Sequence, residues 1–208
     1  FVFVGILHQT FQEYSSNAIK RVRDEWGKVQ GRFVDISLNL SSSEQIELIS
    51  ATISSSHASN SHRSMCEDLV KHLAELKRAP ASNLVEMLTN CWPLNPITAV
   101  CLGPVSRRSY GQNQRSIFSF LGSGEPLGFK HFLQNTSNAN LDNVGYSLAE
   151  FWDYLSFNWS NLIASSQDSH SYAVANENLA QLEKLSQKVP LLLEPICEKI
   201  IKTVHMLQ

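Results

Sequence analysis

Residues 90–133, NCWPLNPITAVCLGPVSRRSYGQNQRSIFSFLGSGEPLGFKHFL, gather Arg107, Arg108 and Arg115 among amides and aromatics in a chain otherwise rich in serine. A guanidinium is the side chain best shaped to hold an anion, because its N–H donors form a planar fork. Arg107 and Arg108 are adjacent, so on a helix they point about 100° apart and at most one can face a given phosphate. Arg115 follows Gln112 and Asn113, and its donors fit equally well a buried polar network that ties those amides to backbone carbonyls. A fourth arginine, Arg32 in GRF, can close a strand's surface through an ion pair with Asp35 or Glu25.

Composition narrows the chemistry. Lysine and arginine total 17 against 19 acidic residues in 208, so no overall basic field attracts nucleic acid, and any anion contact must be local. A hydrophobic fraction of 43% is enough to bury a core in one large domain or two small ones. Cys66, Cys91, Cys101 and Cys197 form no CxxC pair and no zinc-type spacing with histidine, which points to reduced thiols in a cytoplasmic protein and to no metal site. Serine is abundant without a GxSxG elbow, which disfavours a serine hydrolase. Trp26, Trp92, Trp152 and Trp159 each fall near a helical stripe and read as core anchors rather than base-stacking platforms.

The elements that must position these residues can be read from periodicity. The opening FVFVGIL is the continuous apolar pattern of a strand buried on both faces, and as the first residues of the chain it reads as a core strand cut from a sheet that lies upstream. Phe11, Tyr14, Ala18, Val22, Trp26 and Val29 then fall at helical spacing with one face inward. GRFVDISLNL reads as a second strand beginning at Phe33 and Val34. Ser41 with Glu44, Ser64 with Glu67 and Ser147 with Glu150 are capping-box signals for three helices. Between the first two, SSSHASNSH reads as a polar loop whose histidines face solvent.

Met65, Leu69, Leu73 and Leu76 supply an inward stripe, and Asn95 with Pro96 caps a further helix that Gly103 and Pro104 are expected to kink or interrupt. Two short helical pieces flank the turn 122–124, and the last two helices carry stripes at Tyr172, Ala175, Leu179 and Leu182, then Ile196, Ile200, Val204 and Leu207.

Strand, helix, GRF strand, capped helix and helical bundle is the order of the second half of an AAA+-type ATPase core and its lid. LHQTFQEY, DEWGKVQGRFVDI, WPLNPITAVCLGPVSRR and GQNQRSIFSFL together resemble large bacterial ATPases of phage-defence systems, BREX-type ones among them, and through these the origin-recognition-type initiators. The resemblance covers roughly residues 1–155. It implies ATP and Mg²⁺ as cofactors. It implies that His8 or Gln9 stands where a first sensor meets the γ-phosphate. It further implies that Arg32 is an arginine finger toward a neighbouring subunit, and that Arg107, Arg108, Asn113 and Arg115 belong to a lid carrying a second sensor. Self-association through the ATPase module follows from the same resemblance. Other protein subunits and nucleic acid are partners it allows for the whole protein, although this chain itself does not indicate nucleic acid.

The chain departs from that family in lacking a GxxxxGK[ST] loop and a strand ending in paired acids, so alone it should not hydrolyse ATP. Asn95 stands where histidine is expected in the relatives' PLHP motif, and it is assigned capping only. The expected fold is mainly α, a short β-strand remnant of a parallel α/β ATPase core followed by a helical lid bundle. Residues 1–45 would end the core, 46–145 would form the lid, and 146–208 would be a further helical region, with no membrane segment. The competing reading is a non-enzymatic helical protein-interaction module in which the arginines are structural.

Overall fold

The computed structural model describes residues 4–5, 19–34, 41–53, 60–76, 82–106, 117–136, 145–185 and 193–208. Among these the chain is mainly α-helical, and it divides into two compact units, Phe1–Asn39 and Leu40–Gln208.

Among the described residues of the first unit, helix α1 (Lys20–Gln30) follows Ile19, whose φ of −57° and ψ of 143° keep it out of the helix. Its end unwinds through bonded turns, with the Gly31 amide donating to the Gly27 carbonyl at 3.0 Å, Arg32 to Val29 at 3.1 Å and Phe33 to Gln30 at 2.9 Å. Phe33 and Val34 are therefore not in a strand, and the rest of that expected strand, residues 35–40, lies outside the described residues. The amide of Phe33 satisfies a carbonyl of the helix that precedes it rather than a neighbouring strand. The stripe expected to face inward is open as well: Val22, Trp26 and Val29 are 41%, 47% and 53% exposed, and α1 has no buried residue. Of the expected opening strand only Val4 and Gly5 are described, in extended or irregular backbone and exposed; the remainder lies outside the described residues.

The second unit begins as the sequence indicates. The Ser41 amide donates to Glu44 Oε2 at 2.7 Å and the Glu44 amide returns a bond to Ser41 Oγ at 3.3 Å, starting α2 (Ser42–Ile53). Ile46 and Ile49 are its buried side chains. The next helix, α3 (Asn60–Glu75), starts four residues ahead of the expected Ser64 cap and so takes in part of the polar stretch. That register buries His62 and Cys66 and packs Leu69 and Leu73 of the expected stripe against the core, but it leaves Met65 41% and Leu76 71% exposed, correcting those two positions and the expected solvent-facing His62.

Two further helices, α4 (Leu84–Asn90) and α5 (Pro96–Ser106), complete the first group. In it α4 packs on α2 and α3, and α5 packs on all three. Asn95 caps α5 through its Oδ1, which accepts from the Ile97 amide at 3.0 Å, and Pro96 opens the helix where no N–H is needed. The helix continues through Gly103 and Pro104 without interruption. Pro104 sits on the exposed side, where water can serve the carbonyl left free one turn earlier.

Short elbows α6 (Ile117–Gly122) and α7 (Phe129–Asn135) lead to α8 (Leu148–Ala164), α9 (Ser169–Leu185) and α10 (Glu194–Leu207), which pack on one another. The two groups meet where α5 touches α8 and where an isolated parallel bridge joins Leu94 to Tyr146. Among the described residues that bridge stands outside any strand, so the β-remnant of an ATPase core has no counterpart in them. No described helix is long and apolar enough to cross a membrane.

Candidate functional site

Of the residues selected by sequence, Arg32 is exposed in the turn after α1, its amide held by the Val29 carbonyl. His8, Gln9, Arg107, Arg108, Asn113 and Arg115 lie outside the described residues, as does Asp35. The run 90–133 that carries the resemblance supplies much of the core among its described residues. Trp92 is 7% exposed and Leu94 0%, Thr98 0% and Leu102 2%, and Phe120 and Phe129 are 6% and 3%.

One cluster has the residue types of a nucleophilic site. His62 Nε2 lies 3.6 Å from Cys66 Sγ and 3.4 Å from the Leu88 carbonyl, and the Cys91 thiol donates to the Met87 carbonyl at 3.2 Å. The His62 ring sits against Trp92 with centroids 4.3 Å apart. A working cysteine–histidine pair needs a thiolate and an imidazolium. Here burial drives both groups the other way. It pushes the Cys66 thiol up despite a hydrogen bond from Thr89, and it pushes His62 down despite the carbonyls of Leu88 and Thr89. Burial, helped by the nearby Cys66, takes Cys91 up to about 12. With His62 2% and both cysteines 0% exposed, the cluster is a neutral packing unit joining α3 to α4, closed to any substrate.

A second constellation centres on Tyr146. Its hydroxyl donates to the Leu127 carbonyl at 2.8 Å and shares the proton with the Glu150 carbonyl at 3.1 Å. Burial drives its phenol far above the usual range, with Glu150, Tyr154 and Asp153 adding to the effect, so it remains a neutral donor. Phe120, Phe129 and Phe132 pack around its ring at centroid distances of 5.7, 5.8 and 5.4 Å. Next to it Glu125 receives the Tyr154 hydroxyl at 2.5 Å and the Ser123 hydroxyl at 3.1 Å, and Asn158 donates to the Pro126 carbonyl at 2.9 Å. These bonds fix the turn between α6 and α7, including Leu127 at a φ of 63°, a value uncommon for a residue with a side chain.

The third constellation joins α8 to α10. Lys202 Nζ lies 2.6 Å from Asp153 Oδ1 and 2.5 Å from Glu198 Oε1, and Lys199 Nζ lies 3.1 Å from Glu150 Oε1. Glu150 serves twice, because its other oxygen takes the Ser147 amide at 2.9 Å and the Ser147 hydroxyl in the capping box. Burial opposes charge on Glu150, yet the Ser147 and Lys199 hydrogen bonds outweigh it and hold the carboxyl below its usual value. Burial likewise opposes charge on Lys202, and its bonds to Asp153 and Glu198 outweigh that and raise it. At Asp153 burial dominates, with the Glu198 and Glu150 charges behind it, and the carboxyl is raised although Lys202 pulls it down.

The consequence for α10 is that Lys202 and His205 face the protein beside Met206, while the Lys199 side chain stays 57% exposed. Lys202, His205 and Met206 are its buried residues, and the Asn178 amide donates to His205 Nε2 at 3.3 Å. Its aliphatic stripe is outward: Ile196, Ile200, Val204 and Leu207 are 53%, 55%, 48% and 58% exposed, and Leu193, just ahead of the helix, is 47% exposed. Sequence periodicity found the four positions within the helix and assigned them no side. The signal that could have assigned one is the Glu198–Lys202 spacing of four, which sets an ion pair on the opposite face beside Asp153 and Glu150 of α8.

Among the described residues no group of three or more histidine, cysteine, aspartate or glutamate side chains is placed to hold a metal ion. No family model, curated protein or solved structure matches the chain.

Proposed function

We propose that residues 40–208 act as a non-enzymatic helical module that binds protein, and that its binding face is the outer side of α10. The observation that carries this reading is the partition of α10, with Lys202, His205 and Met206 inside and four aliphatic side chains, together with Leu193 just ahead of the helix, outside. A helix places its apolar side toward water at a cost, and such patches on folded chains mark interaction sites. The closed state of the His62, Cys66 and Cys91 cluster supports the same reading, because the side chains suited to nucleophilic chemistry are engaged in packing.

A second reading is the nucleotide-responsive lid of a larger AAA+-like ATPase, cytoplasmic and of the phage-defence kind, with Arg32 as finger and Arg107, Arg108, Asn113 and Arg115 as lid residues. It is supported by the helical character of α2–α5 and by the position of Arg107 and Arg108 directly after the last residue of α5. In that assembly ATP and Mg²⁺ would be held chiefly by other polypeptide, and His8 and Gln9 would report the γ-phosphate.

The two readings separate on titration of the full chain with a fluorescent ATP analogue and Mg²⁺. The module reading expects no saturable binding. Saturable binding that Arg115→Ala weakens at least tenfold would replace it with the nucleotide reading.

A further inference from the structure

The outward stripe of α10 is symmetric about one residue. Leu193 and Leu207 each lie seven residues from Ile200, and Ile196 and Val204 each lie four. Two antiparallel copies crossing at Ile200 therefore set Leu193 of each against Leu207 of the other, Ile196 against Val204, and Ile200 against itself. The same self-complementarity is what a twofold interface requires of a surface. Antiparallel crossing also places the N-terminal end of one helix beside the C-terminal end of the other, so that their dipoles oppose favourably.

Charge favours the same occupant. The stripe itself carries no charged side chain, and Lys202, on the opposite face, is turned inward to Asp153 and Glu198. Lys199, one residue from the crossing point, is neutralised by Glu150 at 3.1 Å, so two copies meet there without two uncompensated cations. A partner that recognised this face through charge would find none along it, whereas a second uncharged aliphatic stripe of matching spacing fits it. Five half-exposed aliphatic side chains amount to a patch of a few hundred Å². Two such patches together approach the lower limit, about 1,000 Å², for a specific interface, so the association is weak and concentration-dependent.

We infer that the chain forms an antiparallel dimer through α10, with its twofold axis at Ile200. This rests on the interaction-module reading and adds the partner, a second copy of the same surface.

The test is sedimentation velocity of the full chain over a concentration series, with Ile200→Glu and, independently, Val204→Lys. Both positions are about half exposed, so both variants should keep the far-ultraviolet spectrum of the parent. Orientation is read by oxidative cross-linking of Leu193→Cys and Leu207→Cys proteins, each in a background where the partly exposed Cys101 and Cys197 are serine. The inference expects a reversible dimer in the parent, at least a tenfold weaker one in each charged variant, and a disulfide between the two introduced cysteines only when the two proteins are mixed. A dimer that survives both charged substitutions, or Leu193→Cys cross-linking with itself, overturns it.

A parent that stays monomeric throughout also overturns it, and an apolar dye, anilinonaphthalene sulfonate, then separates the two levels of the argument. Dye binding lost in Ile200→Glu leaves an open docking face for a different protein and removes only the second copy. No dye binding dependent on Ile200 removes the module reading as well.

Discussion

Lys202 of α10 reaches Asp153 of α8 at 2.6 Å although only 10% of the lysine side chain is exposed, while Ile200, two positions away, is 55% open to water. That pair sets the rotation of α10. Removing the cation leaves Asp153 and Glu198 without it, but their side chains are 40% and 47% exposed and can rehydrate. Lys202→Met is therefore expected to lower stability by about 1–2 kcal/mol, less than for a fully buried pair. The midpoint of urea denaturation against the parent measures it.

Glu150 makes stability depend on acid pH. Its carboxyl is held below the usual value by Ser147 and Lys199, so the folded state releases its proton more readily than the unfolded chain does. The contribution is complete above the ordinary carboxylate range near 4.5 and disappears as pH falls through the lower, folded value. Thermal midpoints recorded from neutral pH down to about pH 3 should fall less steeply for Glu150→Gln than for the parent. Lys202 acts at the other extreme. Its raised value gives a contribution that is full below the ordinary 10.5 and is lost only as pH rises through the folded value above it.

Gly145 is required by a close approach. A Cβ there would lie 2.8 Å and 3.1 Å from ring atoms of Trp92 and 3.0 Å from the Pro93 carbonyl, while the Tyr146 amide next to it donates to that carbonyl at 2.7 Å. Gly145→Ala must displace a buried indole that itself packs on His62, and a loss of about 1–3 kcal/mol is expected. Gly124→Ala, where a Cβ meets nothing within 4 Å, serves as the control and should change stability by no more than about 0.5 kcal/mol. Calorimetric unfolding of the two variants checks both.

The four thiols should divide by accessibility and acidity. Cys66 and Cys91 are fully buried with raised values, whereas Cys101 and Cys197 are partly exposed. An aromatic disulfide reagent at neutral pH is expected to modify Cys101 and Cys197 in the folded protein and the other two only on unfolding, as read by mass spectrometry of the digest.

Sequence reasoning worked best where the signal is local. The Ser41–Glu44 and Ser147–Glu150 caps and the Asn95–Pro96 start depend on atoms two or three residues apart, and they form as the side-chain types dictate. It failed where a helix face is chosen by distant partners. His62 is buried because α3 extends back to Asn60 and lays the ring on Trp92, thirty positions along the chain, which no local pattern encodes. The α10 stripe faces outward because Asp153 and Glu150 of α8 hold Lys202 and Lys199, and periodicity reports a stripe without reporting its side. The GRF segment read as a strand because aromatic and β-branched residues follow Arg32, yet the carbonyls of Val29 and Gln30 at the end of α1 bind the amides of Arg32 and Phe33. Apart from Arg32, the selected nucleotide-type residues fall in segments outside the described residues, so the site they were assigned to has no geometry to compare.

The rotation of α10 can be tested by thiol labelling in dilute solution, comparing Ile200→Cys with Met206→Cys in a background where Cys197 is serine. Ile200 is 55% exposed and Met206 5%, so the account predicts that the cysteine at 200 reacts at least tenfold faster than the one at 206 under native conditions. Faster labelling at 206 would mean that the aliphatic stripe faces the core after all, and the proposed binding surface would not exist.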